Sequence, residues 1–280
     1  MRFASFLSIT RPVNSVVAGI AALLGYLIAT GSITASSLIL LPIVALITAA
    51  GNVLNDYCDA EIDAVNRPER PIPSGKVGRE EAKWYAIALF AAGNILCLFT
   101  NPLCLLIALF NSLLLAGYAR YLKKTPGGGN LSVSYLTGSI FLFGGALVGM
   151  EGLLRNFMVF AITLLATMAR ELLKSAEDVE GDLRGGALTI PVRFGVQATG
   201  RIAFLFASAA VVVSLLPIGA WTGPVYLGGI LVVDAVILSS VAIALPCVSG
   251  ECVRRRKTTT LLKGGMFAAL VVFTAAAMLP

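Results

Sequence analysis

Twelve of the 15 Asp and Glu residues fall in two short segments, 55–83 and 170–182. The first begins Asn55-Asp56-Tyr57-Cys58-Asp59-Ala60-Glu61-Ile62-Asp63, which sets Asn55, Asp59 and Asp63 at i, i+4 and i+8. The second contains Glu177-Asp178-Val179-Glu180-Gly181-Asp182 and repeats the i, i+4 spacing with Asp178 and Asp182. On a helix such residues share one face with their Cβ atoms about 5–6 Å apart, and like charges there repel. A bound cation relieves that repulsion. The chain has no His, which removes imidazole catalysis and the common zinc sites. Oxygen-only donors suit Mg²⁺ or Ca²⁺, and Mg²⁺ completes its shell with water and phosphate oxygens. The expected chemistry is a polyphosphate gripped through Mg²⁺, with Asn55, Asp59, Asp63, Asp178 and Asp182 as ligands. A solvated loop would explain either acidic segment alone. It does not explain two with the same spacing at equivalent helix ends.

Basic residues flank both segments: Arg67, Arg70 and Lys76 beside the first, Arg170, Lys174 and Arg184 beside the second. Arg offers a bidentate fork to phosphate oxygens. The same cations also serve as topology signals. Each acidic segment is followed by an Ile-Pro step, in Arg70-Pro71-Ile72-Pro73 and in Thr189-Ile190-Pro191-Val192. This repetition hints at one domain made of two related four-helix halves, about 1–130 and 131–250, plus a ninth helix.

The elements that must carry these residues are set by composition. Of 280 residues, 58% are hydrophobic and 13% charged, with a mean hydropathy of +0.88. A soluble domain has about 25% charged residues, so this chain has too few to cover a globule in water. Residues 12–55, 84–119, 125–150 and 202–233 carry no charge. A membrane helix needs roughly 20 apolar residues. Gly, Pro, Ser and Asn breaks divide the runs into nine expected helices: 13–31, 37–57, 82–100, 102–122, 131–150, 156–178, 199–218, 223–246 and 261–279. The fold class is all-α, a multi-pass membrane bundle of nine crossings. With the N-terminus inside, segments 1–12, 57–83, 120–130, 170–201 and 247–263 lie inside and hold 20 of the 21 Lys and Arg. Only Arg155 falls outside, as the positive-inside rule predicts. The expected location is the cell membrane, with the N-terminus and acidic segments cytoplasmic and the C-terminus outside. The net charge of +6 belongs to topology and lipid headgroups; no nucleic-acid partner and no obligate protein partner are expected.

Other features have plainer readings. The five Cys include no CxxC pair and read as buried apolar thiols. Gly127-Gly128-Gly129 lacks nucleotide-loop spacing and reads as a flexible linker. Arg254-Arg255-Arg256-Lys257 reads as a stop-transfer and anionic-lipid signal. Asp234, alone in an apolar stretch, is either functional or hydrogen-bonded to a Ser or Thr. The first apolar run is too long for a cleavable signal.

Asn55-Asp56-x-x-Asp59-x-x-x-Asp63, followed by Asn66-Arg67-Pro68-x-Arg70-Pro71-Ile72-Pro73-Ser74-Gly75, resembles the first signature of UbiA-type intramembrane prenyltransferases. Arg170-Glu171-x-x-Lys174 with Glu177-Asp178-x-Glu180-Gly181-Asp182 is similar to the second, and Tyr118, Lys123 and Gly129-Asn130 match a weaker third feature. Ser175 departs from the pattern, which often has Asp directly after the Lys. The resemblance implies a helical bundle around a central cavity open to lipid, holding a prenyl diphosphate through Mg²⁺. Asp56, Asp59, Asp63, Asp178 and Asp182 would then be catalytic.

Arg11-Pro12-Val13-Asn14 and Tyr135-Leu136-Thr137-Gly138-Ser139 look most like the archaeal lipid branch of that family. That branch implies transfer of a geranylgeranyl group to the free hydroxyl of geranylgeranylglyceryl phosphate. The expected partners are a prenyl diphosphate donor, a lipid-phosphate acceptor and membrane lipids. Arg11, Lys76 or Lys123 would meet the acceptor phosphate, with Asn14, Tyr118 and Asn130 also in the substrate site. The proton would pass to a carboxylate such as Asp56 or to the departing diphosphate. An aromatic acceptor is the alternative, and an ion or phosphate transporter a distant one.

Overall fold

The structure is a computed structural model that describes residues 2–216 and 223–279. Among the described residues it is helical and contains no strand. Among the described residues nine helices have 19 to 21 residues: α1 (Pro12–Thr30), α2 (Leu40–Cys58), α3 (Arg79–Cys97), α4 (Pro102–Arg120), α5 (Gly128–Ala146), α6 (Phe157–Glu177), α7 (Val196–Ser214), α8 (Pro224–Ala242) and α9 (Thr258–Met278). Six of them, α1, α2, α4, α7, α8 and α9, are long and apolar enough to cross a bilayer. The other three depart from the nine expected crossings for chemical reasons. Helix α3 opens on Arg79, Glu80, Glu81 and Lys83, α6 carries Arg170, Glu171, Lys174 and Glu177, and α5 is diluted by Gly, Ser and Asn. The outward faces are apolar, with Leu113, Leu205 and Val271 all exposed, as lipid contact requires. The expected turn 219–224 lies largely outside the described residues.

The chain divides into two compact units, Met1–Tyr121 with Ile140–Leu153, and Leu122–Ser139 with Leu154–Pro280. In the first unit α2 runs between α1 and α3 and also touches α4. Its core gathers Ala22, Tyr26, Leu40, Ile43, Ile47, Cys97, Cys104 and Phe143. Close approach there depends on absent side chains: a Cβ on Gly25 would lie 2.9 Å from the Phe141 carbonyl oxygen, and one on Gly144 would strike the Ala22 carbonyl. Small residues let membrane helices approach in this way. In the second unit α6 packs along α7, α8 along α9, and α7 also meets α8.

Local structure differs from the sequence expectation at three places. Gly128 and Gly129 are not a linker; they form the first turn of α5, where a Cβ on Gly129 would come within 3.0 Å of Lys123 Cα. Cys97 and Cys104 are buried apolar thiols as expected, but Cys247 and Cys252 form a disulfide. A short helix, Arg2–Ile9, precedes α1; its Ile9 is buried with Val53, Val77, Ala82 and Ala86, and Phe6 meets Tyr85 edge-on at 5.3 Å.

Replacing Gly144 with Val is expected to lower the thermal midpoint of the purified protein. Overpacking costs about 1–3 kcal/mol. Gly149→Ala tests the opposite case, because a Cβ there meets nothing within 4 Å and only its backbone φ of 91° is strained. Thermal unfolding in detergent would show whether Gly144→Val causes the larger loss.

Candidate active site

The first acidic segment is built on the end of α2. The helix breaks at Asp59, whose φ and ψ are −92° and 2°, and a short helix, Ala60–Asn66, continues. Two hydrogen bonds carry the i, i+4 register across the break: the Asp59 N–H donates to the Asn55 carbonyl (2.9 Å) and the Asp63 N–H to the Asp59 carbonyl (2.8 Å). The second segment uses the same device. Helix α6 ends before Asp178, with φ −97° and ψ 4°, the short helix Val179–Arg184 follows, and the Asp182 N–H donates to the Asp178 carbonyl at 3.0 Å. The stripes expected on unbroken helices are therefore bent, each at an Asp.

Arg70 is brought under the first segment by a chain of turns. The Arg70 N–H donates to the Arg67 carbonyl, that of Ser74 to the Arg70 carbonyl and that of Val77 to the Pro71 carbonyl. Gly75 permits the reversal with φ 73°. Val77 buries beside Val53 and Ile9, anchoring the turns. Arg70 Nη1 then donates to Asp63 Oδ2 at 2.6 Å and to Asp56 Oδ1 at 3.3 Å. Asp56 and Asp63 are both buried. An ionised carboxylate in such a place needs a partner of opposite charge.

Asp56 has a second partner. Arg11 Nη2 donates to the same Oδ1 at 2.7 Å. Arg11 adopts φ 50° and ψ 64°, a left-handed conformation that costs a non-glycine residue about 1–3 kcal/mol. Pro12 follows it and disfavours the right-handed alternative. The corner is pinned from α2, where Asn52 Nδ2 donates to the Thr10 carbonyl at 3.1 Å. Asn55 Nδ2 donates to Asp59 Oδ2 at 3.0 Å. The first unit thus brings together Arg11, Asn55, Asp56, Asp59, Asp63 and Arg70. Arg67 and Lys76 are exposed and have no ion pair among the described residues. Asn14 is exposed at the start of α1, and Tyr118 is half-buried on α4.

In the second unit Asn130 Nδ2 donates to Ser175 Oγ at 2.9 Å. Ser175, the departure from the signature, thus fixes an amide of the third motif. Arg170 pairs with Glu171. Lys174 and Arg184 are exposed without an ion pair among the described residues, Lys123 is half-buried, and Asp178 is exposed. Burial pushes the Asp182 carboxyl above its usual value, and the Asp178 charge pushes it the same way. Asp234 accepts from Ser214 Oγ at 2.7 Å, and the Tyr226 hydroxyl donates to the Ser214 carbonyl at 2.8 Å. That internal bonding accounts for the buried acid within α8.

The donor set fits Mg²⁺. Its side chains offer only oxygen, and among the described residues no group of three or more Cys, Asp and Glu is placed to hold an ion. Mg²⁺ typically takes one or two carboxylates and leaves the rest of its shell to phosphate and water. Asp59 and Asp182 belong to different segments, each with a neighbouring oxygen donor, Asn55 and Asp178.

Helices, acidic motifs and paired arginines together define the class. The UbiA prenyltransferase family matches residues 18–271, and the chain belongs to it as an integral membrane protein. It is 56% identical over 279 residues to digeranylgeranylglyceryl phosphate synthase of Methanoculleus marisnigri, covering 100% of both chains. A solved structure concerned with digeranylgeranylglyceryl phosphate synthase in membranes superposes with a TM-score of 0.87 at 34% identity, covering 99% of each chain. A UbiA homolog from Archaeoglobus fulgidus, bound to GPP and Mg²⁺, shares the fold with a TM-score of 0.63 at 15% identity, covering 95% of this chain and 99% of that one.

Sequence reasoning identified Asp56 and Arg70 but missed what they do to each other. It also missed Asn52 and Ser175 as supports. The only signal available was the Arg-Pro-x-Arg-Pro spacing. Arg70→Ala is expected to destabilise the fold by about 3–5 kcal/mol, because it leaves Asp63 buried without its partner. Denaturant unfolding would check it, and Arg67→Ala, which removes an unpaired cation, should leave stability unchanged.

Proposed function

We propose that this chain transfers a geranylgeranyl group from geranylgeranyl diphosphate to the free hydroxyl of geranylgeranylglyceryl phosphate, forming the second ether bond of an archaeal membrane lipid. The observation that carries this reading is the 56% identity over the full chain to a digeranylgeranylglyceryl phosphate synthase. The paired acidic segments and the free cations beside them support it. Asn55, Asp59, Asp178 and Asp182 hold Mg²⁺, and Asp63, steadied by Arg70, offers its second oxygen. Mg²⁺ supplies charge neutralisation on the donor's diphosphate.

Arg67, Lys76, Arg170 and Lys174 bind phosphate oxygens, whose charge rises as the allylic C–O bond breaks. The bond's electron pair leaves with the diphosphate. The acceptor's hydroxyl oxygen bonds to the allylic carbon, and its proton passes to the departing diphosphate. Asp56 is not needed as a base, since two guanidinium groups already share its charge; it holds Arg11 and Arg70 in place. Arg11 and Lys123 meet the acceptor phosphate, and Asn14, Tyr118 and Asn130 orient the substrates by hydrogen bonds. The apolar helix faces keep water from the reacting carbon.

All nine long helices cross the membrane in this reading, in a single domain of two related halves and a ninth helix. The N-terminus and acidic segments lie on the cytoplasmic side and the C-terminus outside. The bias of 20 of 21 basic residues to one set of loops supports that orientation.

Purified protein with Mg²⁺ and both substrates is expected to form the diether, and chelation with EDTA to stop it. Folded protein that makes no diether, or that prenylates an aromatic acceptor in preference, would overturn the assignment. Asp59→Ala and Asp182→Ala should each lower turnover by at least about 100-fold, within the range expected for loss of metal-held charge stabilisation, with the thermal midpoint retained.

A further inference from the structure

The loop joining α8 to α9 was legible in sequence only as a run of positive charge. In the structure it straps the end of α6. Arg256 Nη1 donates to the Ile243 carbonyl at 2.7 Å, tying the loop to the end of α8. The Cys247–Cys252 disulfide closes the loop further along. Cys252 lies in a short helix, Gly250–Arg255, with Ser249 as its cap. Cys247 and Val253 are buried with Ala176 and Val196, so the strap is seated on α6 and α7.

Three contacts reach the residues beside Asp178. Gly250 lies against the last turn of α6, where a Cβ would come 2.7 Å from the Ala176 carbonyl oxygen and 3.0 Å from that of Glu177. Arg254 Nη2 donates to the Glu177 carbonyl at 2.7 Å, and its guanidinium stands 4.0 Å from Asp178 Oδ1. Thr259 Oγ1 donates to Glu177 Oε1 at 2.8 Å. The last carbonyls of a helix have no partner within it. Arg254 satisfies one of them at the peptide that leads into Asp178, and Asp178 is where the helix bends. Thr259 meanwhile ties down the neighbouring Glu177 carboxylate, which would otherwise compete with Asp178 for the same cation.

We propose that Arg254 and Thr259 are positioning residues for Asp178: the α8–α9 loop and the first turn of α9 hold the bent end of α6 so that Asp178, and not Glu177, is presented to the Mg²⁺-diphosphate. The inference rests on the reading of Asp178 as a metal ligand.

The test uses the full chain purified in detergent, with Arg254→Ala, Arg254→Lys, Thr259→Val and Asp178→Asn. One readout is the Mg²⁺ concentration giving half-maximal turnover, compared with kcat. A second needs no turnover: the rise in thermal midpoint on adding Mg²⁺ with inorganic diphosphate, which reports binding to the folded state. Arg254→Ala is expected to raise the half-saturating Mg²⁺ about tenfold, as loss of a ligand's support typically does. It should shrink the thermal shift and change kcat much less. Thr259→Val should move both readouts in the same direction, and Arg254→Lys should recover most of the loss, since an ammonium also donates to a carbonyl. If Asp178→Asn shifts both readouts while Arg254→Ala and Thr259→Val shift neither, the positioning role is overturned. A lower midpoint without ligand, unchanged Mg²⁺ dependence and no rescue by Lys would also overturn it, leaving Arg254 a structural role only. If Asp178→Asn itself shifts neither readout, the reading of Asp178 as a ligand falls instead.

Discussion

A carboxylate buried at the end of a membrane helix must have a positive partner, because the cost of burying it unpaired is several kcal/mol. Asp56 and Asp63 meet that demand with one arginine between them and a second on Asp56 alone. Much of the first unit's polar end follows from this. The turns after Asn66 bring Arg70 into reach, and Val77 and Gly75 make those turns possible. The strained corner at Arg11 is held from α2 by Asn52 and Asp56. The network is electrically balanced by itself, with two acids and two arginines, so its members are already oriented before any ligand arrives.

The two acidic segments solve a geometric problem in the same way. An uninterrupted helix would stack the acids in a straight file along one face. A break at Asp59 and another at Asp178, each with ψ near zero, bends the file while keeping the hydrogen bond to the Asp four residues on. The supports differ between the units. In the first, Arg70 reaches back from the loop that follows the segment. In the second, Arg254 arrives from the loop between α8 and α9 and Thr259 from the first turn of α9, both more than 70 residues away in sequence. Two local bends of one kind are therefore stabilised by unrelated contacts.

Helices α3 and α6 are less apolar than their neighbours because they carry charges near the acidic segments. Glycine and serine in α5 reduce its hydropathy for a different reason: they allow the Ala22 and Phe160 backbones to come close, at Gly144 and Gly138. In these three helices polar ends and close packing each replace apolar bulk.

The sequence by itself determined the helical class, the position of the long helices and the residue types of the site. Those properties are local: apolar run length sets a membrane helix, and i, i+4 spacing sets which acids share a face. It also determined the prenyltransferase family, since the Asn-Asp-x-x-Asp-x-x-x-Asp and Arg-Pro-x-Arg-Pro pattern is contiguous. Tertiary structure decided what those residues touch. Arg70 was legible as a cation beside acids, but its commitment to Asp63 and Asp56 depends on how the turns after Asn66 are anchored by Val77 against Ile9 and Val53. Gly128 and Gly129 read as part of a flexible linker, yet they form a helix start with Gly129 against Lys123. Arg254 carried only a charge in the sequence; its hold on Glu177 exists because folding brings two helix ends together. Pairings of this kind span tens of residues, and no local periodicity encodes them.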